Sequence, residues 1–247
     1  MPIDPVSAAL AILGVVIGGV LKGATGAGAP VVAVPVLAMV FDVPTAVTIF
    51  TVPNLLSNIW QGWSYRRHLL SWRFAGVYAG AGLAGAGLGT VLLIALSPDL
   101  LTATVAVAVL AYIGFRLLRP DWALPYPAAV RLAAPVGLAA GLLQGTVGVS
   151  APISITFLNA MKIDRPAFIA TISLLFLAMT AAQIPIMLGT GLMTGQRLAY
   201  GLGVTALLLA TMPLGAALGR RIPRAAFDRL IMVLLALVAL RLLAQSF

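Results

Sequence analysis

The chain alternates long apolar runs with short turns rich in Gly, Pro, Asp and Arg. Five runs fall in the first half, at about residues 7–22, 30–41, 44–61, 74–96 and 99–118. Five more follow at about 132–144, 152–162, 166–188, 197–219 and 226–245. The last three of each set suit helices crossing a hydrocarbon core of about 30 Å, which takes roughly 20 residues. The first two of each set are shorter and meet at a Gly-rich break, which predicts a re-entrant helical hairpin. The expected fold is therefore an all-α polytopic membrane protein.

The breaks match each other. Gly23-Ala-Thr-Gly26-Ala-Gly-Ala29-Pro30 recurs as Gly145-Thr-Val-Gly148-Val-Ser-Ala151-Pro152. In the same register Asp42-Val-Pro44 meets Asp164-Arg-Pro166, and Gln61 meets Gln183. Farther on, Pro98 pairs with Pro223 and Arg116-Leu-Leu with Arg241-Leu-Leu. The pattern describes one transmembrane domain over 1–247, built from a first repeat at 1–122 and a second at 123–247. The Pro-rich stretch RPDWALPYPAAVR, at 119–131, joins them. Each unit has an odd number of elements, a hairpin plus about three transmembrane helices, so the second copy is expected to enter the bilayer inverted.

Charge placement gives an independent reason for inversion, because cytoplasmic connections collect Lys and Arg. With the Arg66-Arg67-His68 loop in the cytoplasm, inversion puts Arg116, Arg119, Arg131, Lys162, Arg165, Arg220, Arg221, Arg224 and Arg229 on the same side. The other side receives Arg197, Arg241, Asp4, Asp42 and Asp99, and both chain ends. A parallel repeat would place the Arg66 loop beside its uncharged counterpart near Gly189. The expected location is a cell inner membrane, multi-pass, with both termini on the non-cytoplasmic side. The segment around Asp4 lacks a basic leader and a convincing cleavage site, so it is expected to be retained structure.

Composition narrows the chemistry. The 247 residues are 62% hydrophobic and 9% charged, with a mean hydropathy of +1.10, far from a soluble domain with about a quarter of its residues charged. The net charge of +9 is scattered over connections rather than gathered on one face, so no nucleic-acid partner is expected. The chain has no Cys, no Glu, and a single His in the Arg66 loop. Thiolate chemistry and Cys-based metal sites are excluded, and neither a cofactor, a metal nor enzymatic activity is expected.

The paired breaks are the strongest functional signal. Irregular backbone at membrane depth is tolerated inside protein or beside a wet cavity, and matched breaks in inverted halves point to a carrier's central site. Candidate substrate-binding residues are Lys22, Gly23, Thr25, Gly26 and Gly28 in the first copy and Gln144, Gly145, Thr146, Gly148 and Ser150 in the second. Helix N-termini after the breaks favour an anion, and Lys22 adds a full positive charge. Lys22 either binds the substrate's negative group or ends a helix and snorkels to the interface. Asn54, Ser57, Asn58 and Gln61 share one helical face, answered by Thr171, Ser173, Thr180 and Gln183. These polar groups either bond neighbouring helices or line the cavity, and Asn54, Asn58 and Gln183 complete the candidate set. Gly80, Gly82, Gly85, Gly87 and Gly89 are assigned to helix packing.

Gly18-Gly19-x-x-Lys22-Gly23-x-x-Gly26-x-Gly28-x-Pro30, followed by Val34-Pro35, Asn54 and Tyr65-Arg66-Arg67, resembles the sulfite exporter TauE/SafE family, also called the 4-toluene sulfonate uptake permease group. The resemblance covers essentially the whole chain. It implies a transporter of sulfite, sulfonates or related organic anions, whereas the residues themselves point to a carrier that prefers an anion. The second copy, Gly145-Thr-Val-Gly148-Val-Ser-Ala151-Pro152, is poorer in Gly than the family pattern. An anion channel and a carboxylate carrier remain open beside the sulfur-oxyanion carrier. Expected partners are a small anionic substrate and the lipid bilayer, with a homodimer compatible with both.

Overall fold

The computed structural model describes residues 4–119, 122–219 and 236. The described residues form nine α-helices in order: α1 (Pro5–Thr25), α2 (Ala29–Val40), α3 (Val43–Tyr65), α4 (Trp72–Ala95), α5 (Pro98–Leu118), α6 (Tyr126–Val147), α7 (Ala151–Ala160), α8 (Arg165–Gly189) and α9 (Gly195–Leu218). A single 3-10 turn at Arg66–His68 joins α3 to α4. No strand occurs among the described residues. Apart from residue 236, the expected element at 226–245 lies outside the described residues, as do Arg220, Arg221, Pro223, Arg224, Arg229 and Arg241.

The turns start these helices where free N–H groups need an acceptor. Asp4 accepts from the backbone N–H groups of Val6 and Ser7, Asp42 from Thr45 and Asp164 from Ala167. Ser71 and Thr194 do the same for α4 and α9. Three of the chain's few carboxylates are thus spent on helix starts at the ends of the apolar segments, and none of them reaches a helix interior. Proline in the first turn of α1, α2, α3, α5, α6, α7 and α8 adds a preset φ where its missing N–H costs nothing.

Among the described residues six helices, α1, α4, α5, α6, α8 and α9, are long and apolar enough to cross a membrane. This corrects the sequence reading of the first element in each set. α1 has 21 residues and α6 has 22, so only α2 and α7, with 12 and 10, are short. The apolar runs at 7–22 and 132–144 underestimated both helices: Gly and Thr interrupt the hydrophobic pattern before the backbone leaves each helix, and α6 also starts at Tyr126, inside the Pro-rich stretch expected to be a linker, because Pro127 fits a first helical turn. With 23 residues α3 is long enough to span, and it is two-faced: Asn54, Ser57, Asn58 and Gln61 are buried, whereas Leu56, Ile59, Trp60 and Trp63 are exposed on its outer side.

Packing relies on glycine at two seams. On α4, Gly82, Gly85 and Gly89 face Gly137, Gly141 and Gly145 of α6, and a Cβ at Gly85 or Gly141 would run into the backbone of the facing helix. On α1, Gly19 and Gly23 meet α9, whose Gly215 and Gly219 meet Val20 and Ala24. Backbones this close recover by dispersion what lipid-exposed interfaces cannot gain from the hydrophobic effect. The expected packing run on α4 is thereby narrowed: Gly80 faces open space, and Gly87 only approaches α8. The remaining framework places α8 against α4 and α3, and α3 against α9.

Gly85→Val and Gly141→Val should each lower the thermal stability of the detergent-solubilised protein, with an overpacking cost of about 1–3 kcal/mol or more. Gly80→Ala, in open space within the helix, should leave it unchanged or raise it slightly. Thermal unfolding followed by intrinsic fluorescence checks the contrast, and equal effects at all three positions would refute the seam.

Candidate functional site

The two Gly-rich breaks end their helices in the same way. α1 stops at Gly26 with φ 93°, and α6 stops at Gly148 with φ 73°. Both are left-handed conformations that a Cβ opposes. The N–H of Gly26 donates to the Lys22 carbonyl at 2.7 Å, and that of Gly148 to the Gln144 carbonyl at 2.8 Å. Lys22 and Gln144 therefore hold equivalent places, one turn before each break.

The amides freed at each break find partners within their own copy. The Thr25 hydroxyl donates to the Leu21 carbonyl and accepts from the Gly28 N–H at 3.2 Å. In the second copy the Gln144 side-chain oxygen accepts from the Ser150 N–H at 3.2 Å. Ser150 is further engaged by the Ser154 hydroxyl, and the Thr146 hydroxyl turns back to the Leu142 carbonyl. Gly23 and Gly145 are packing residues, pressed against α9 and α4. The Gly23 carbonyl also accepts from Arg165 at the start of α8, at 3.0 Å.

Lys22 behaves differently from the rest of its break. It is 1% exposed, so it does not snorkel to the surface. Its Nζ donates to Asn58 Oδ1 at 3.0 Å and lies 5.8 Å from the centroid of the Phe176 ring. Among the described residues no carboxylate pairs with it. Asn58 in turn donates to the Asn54 carbonyl at 2.7 Å and to Asn54 Oδ1 at 2.9 Å. Asn54 Nδ2 points to the Thr180 hydroxyl of α8 at 3.4 Å. An ammonium in a low-dielectric interior is costly unless its protons are bonded or hydrated. One amide oxygen and one aromatic face satisfy only part of that need.

This network lies on a polar seam between α3 and α8, which run antiparallel. Gly62 sits beside Ser173 and Leu177, Asn54 meets Thr180, and the Thr51 hydroxyl faces Met187 Sδ at 3.8 Å. Several buried side-chain atoms of these two helices have no hydrogen-bond partner among the described residues: both amide atoms of Gln183, Gln61 Oε1, and the hydroxyls of Ser173 and Thr171. Buried polar groups are ordinarily bonded, and unbonded ones in a membrane core point to water or a ligand.

Of the residues expected at the site, the structure gathers Lys22, Asn54 and Asn58 into one cluster and leaves Gln183 on the same seam with no side-chain partner among the described residues. Thr25, Gly26, Gly28, Gln144, Gly148 and Ser150 build the breaks. The breaks approach the seam from different sides: Gly26 packs on Ile169 near the start of α8, and Gly148 on Val34 and on Val47 near the start of α3. Thr180 belongs to the cluster although it was outside the expected set. Its signal was its register, since Asn58 and Thr180 correspond under the repeat. Phe176 and Arg165 carried no such signal. Arg165 looked like one more surface charge, and aromatic contact with Lys22 depends on a helix pairing that no local pattern encodes.

Asn58→Leu should destabilise the protein strongly, by about 1–3 kcal/mol or more, because it removes the one hydrogen-bond acceptor that the buried ammonium has among the described residues. Adding Lys22→Met should restore part of that stability. A double-mutant cycle on thermal unfolding tests this, and strict additivity would mean that the two side chains do not interact.

No curated protein and no solved structure matches the chain. The model of the family described as sulfite exporter TauE/SafE matches residues 10–242. With six helices able to cross a membrane and a match over nearly its full length, this polytopic membrane protein belongs to the sulfite exporter TauE/SafE family.

Proposed function

We propose that the chain exports a small anion, sulfite, a sulfonate or a related sulfur oxyanion, by alternating access at the α3–α8 seam. The observation that carries this reading is Lys22, a buried cation with no carboxylate partner among the described residues, set among amides and hydroxyls with unused bonding capacity. A substrate oxyanion would supply the missing charge and accept from Lys22, Gln183 and the seam hydroxyls. An inside-negative potential already drives an anion outward by about 2.3 kcal/mol per charge per 100 mV, so export needs no coupled proton or ion.

The alternating-access part rests on two inverted repeats, 1–122 and 123–247. Three pairings support them. α1 packs on α9 as α6 packs on α4, α3 packs on α9 as α8 packs on α4, and the breaks at Gly26 and Gly148 lean on Ile169 and Val47, which correspond in register. On this reading each copy's hairpin rests against a helix of the other copy, so one bundle can rock against the other around the seam. Both termini would then lie outside an inner membrane.

Purified protein in liposomes should move labelled sulfite or a sulfonate such as sulfoacetate with saturable kinetics, faster than taurine or a simple carboxylate. Lys22→Ala should weaken apparent affinity at least tenfold, roughly the loss of one charge-assisted hydrogen bond. Flux that never saturates would indicate a channel. Unchanged affinity in Lys22→Ala would remove the charge-binding role.

The chain has no cysteine, so single cysteines report topology cleanly. A cysteine at Arg67 and one at Gly191 should react with an impermeant maleimide from opposite sides of the membrane. Labelling of both from the same side would overturn the inverted arrangement.

A further inference from the structure

A groove of about 340 Å³ opens on the outer surface between the C-terminal half of α3, the Arg66–His68 turn and the N-terminal half of α8. Its lining is ordered. Ile59, Gly62, Trp63 and Arg66 recur at spacings of three and four, so they form one stripe of α3 that ends in a cation at the helix terminus. Leu177 of α8 forms the opposite wall at the deep end, beside Gly62. From Arg66 to Ile59 the trough descends about 10 Å along the helix axis. One end is therefore charged and level with the helix ends, and the other is wholly apolar.

Arg66 is held ready. One guanidinium N–H donates to the Trp63 carbonyl at 2.6 Å, and the group stacks on the Trp63 ring at 4.2 Å from its centroid. A guanidinium carries five N–H donors, and among the described residues no carboxylate takes any of those of Arg66. Trp63 and Trp72, 69% and 75% exposed, stand beside it where indole rings favour the boundary between hydrocarbon and headgroups. Arg67 and Arg73 are exposed nearby and extend the positive field.

We propose that this groove holds one anionic phospholipid, its phosphate on Arg66 and an acyl chain along Gly62 and Ile59 against Leu177. The order of the lining selects an amphiphile over a free oxyanion, which would leave the trough empty. The excess of fixed positive charge selects a head of net negative charge over a zwitterion that brings its own cation. The lipid seats on the outer side of the two helices whose inner faces form the polar seam. Its binding does not depend on what the seam carries.

Native mass spectrometry of the detergent-purified chain, offered equal amounts of phosphatidylglycerol and phosphatidylcholine, tests the site. Phosphatidylglycerol should be retained in preference. Arg66→Gln, an exposed change that spares the core, should lower its retention roughly fivefold, the equivalent of ~1 kcal/mol per basic residue at an anionic surface. Gly62→Leu, which fills the trough without touching the charge, should lower it as well. Arg67→Gln, exposed but outside the lining, should leave it unchanged. Equal retention of the two lipids overturns the proposal. So does an equal loss from Arg66→Gln and Arg67→Gln, which would mean diffuse attraction, or full retention in Gly62→Leu, which would mean an unoccupied trough.

Discussion

The hydrogen bond from Lys22 to Asn58 is the constraint around which the interior is arranged. A full positive charge within an apolar bundle must find acceptors or water, and no acid among the described residues supplies a counter-charge. Asn58 can offer its oxygen to Lys22 only if its own N–H groups go elsewhere, and Asn54 receives them. Asn54 then turns its own amide toward Thr180, which carries the network from α3 to α8. The polar face of α3 is thus a relay of orientations, each fixed by the next. That explains how a helix of 23 residues carries Asn54 and Asn58 among its six buried polar side chains without losing its place in a membrane protein.

Glycine has two separate duties here, and they differ in physics. At Gly26 and Gly148 it allows a left-handed residue that stops a helix. At Gly23 and Gly145, three residues earlier, it allows two helices to touch backbone to backbone. The sequence run is continuous, so both duties fall within one motif, and a reading of the motif as a single binding loop merges them. The two are coupled in space: close packing of α1 on α9 and of α6 on α4 fixes where each helix ends, and therefore where Lys22 and Gln144 project.

Much of the architecture was legible from local chemistry. Helical class, element order and most boundaries follow from apolar length, Pro in the first turn and Asp or Ser just before it. The breaks were legible because Gly-rich stretches followed by Ala-Pro recur in register. Two things were not. The full length of α1 and α6 was hidden because helix termination depends on Gly26 and Gly148, not on where hydrophobicity fades, and because the start of α6 at Tyr126 lies in a stretch whose prolines read as a linker. The pairing of α3 with α8 was hidden because it joins residues more than a hundred positions apart, such as Asn54 and Thr180. Lys22, Asn54 and Asn58 could be named as candidates from residue type alone, but their mutual contact depends on how α1 and α3 are both packed against α2 and α9.

The breaks looked, from sequence, like two anion sites made of helix N-termini. Yet the Gly28 N–H is taken by Thr25 and the Ser150 N–H by Gln144, which removes donors that an anion would otherwise use. Positive charge at the seam is therefore concentrated on one side chain, in one copy, since the place equivalent to Lys22 holds neutral Gln144. On the anion reading that asymmetry has a consequence for selectivity. One ammonium balances one negative charge, while a dianion would leave a second charge uncompensated in a low-dielectric interior, where desolvation costs several kcal/mol. Singly charged oxyanions, a sulfonate or the protonated form of sulfite, fit the charge of this seam better than a doubly charged anion of the same size.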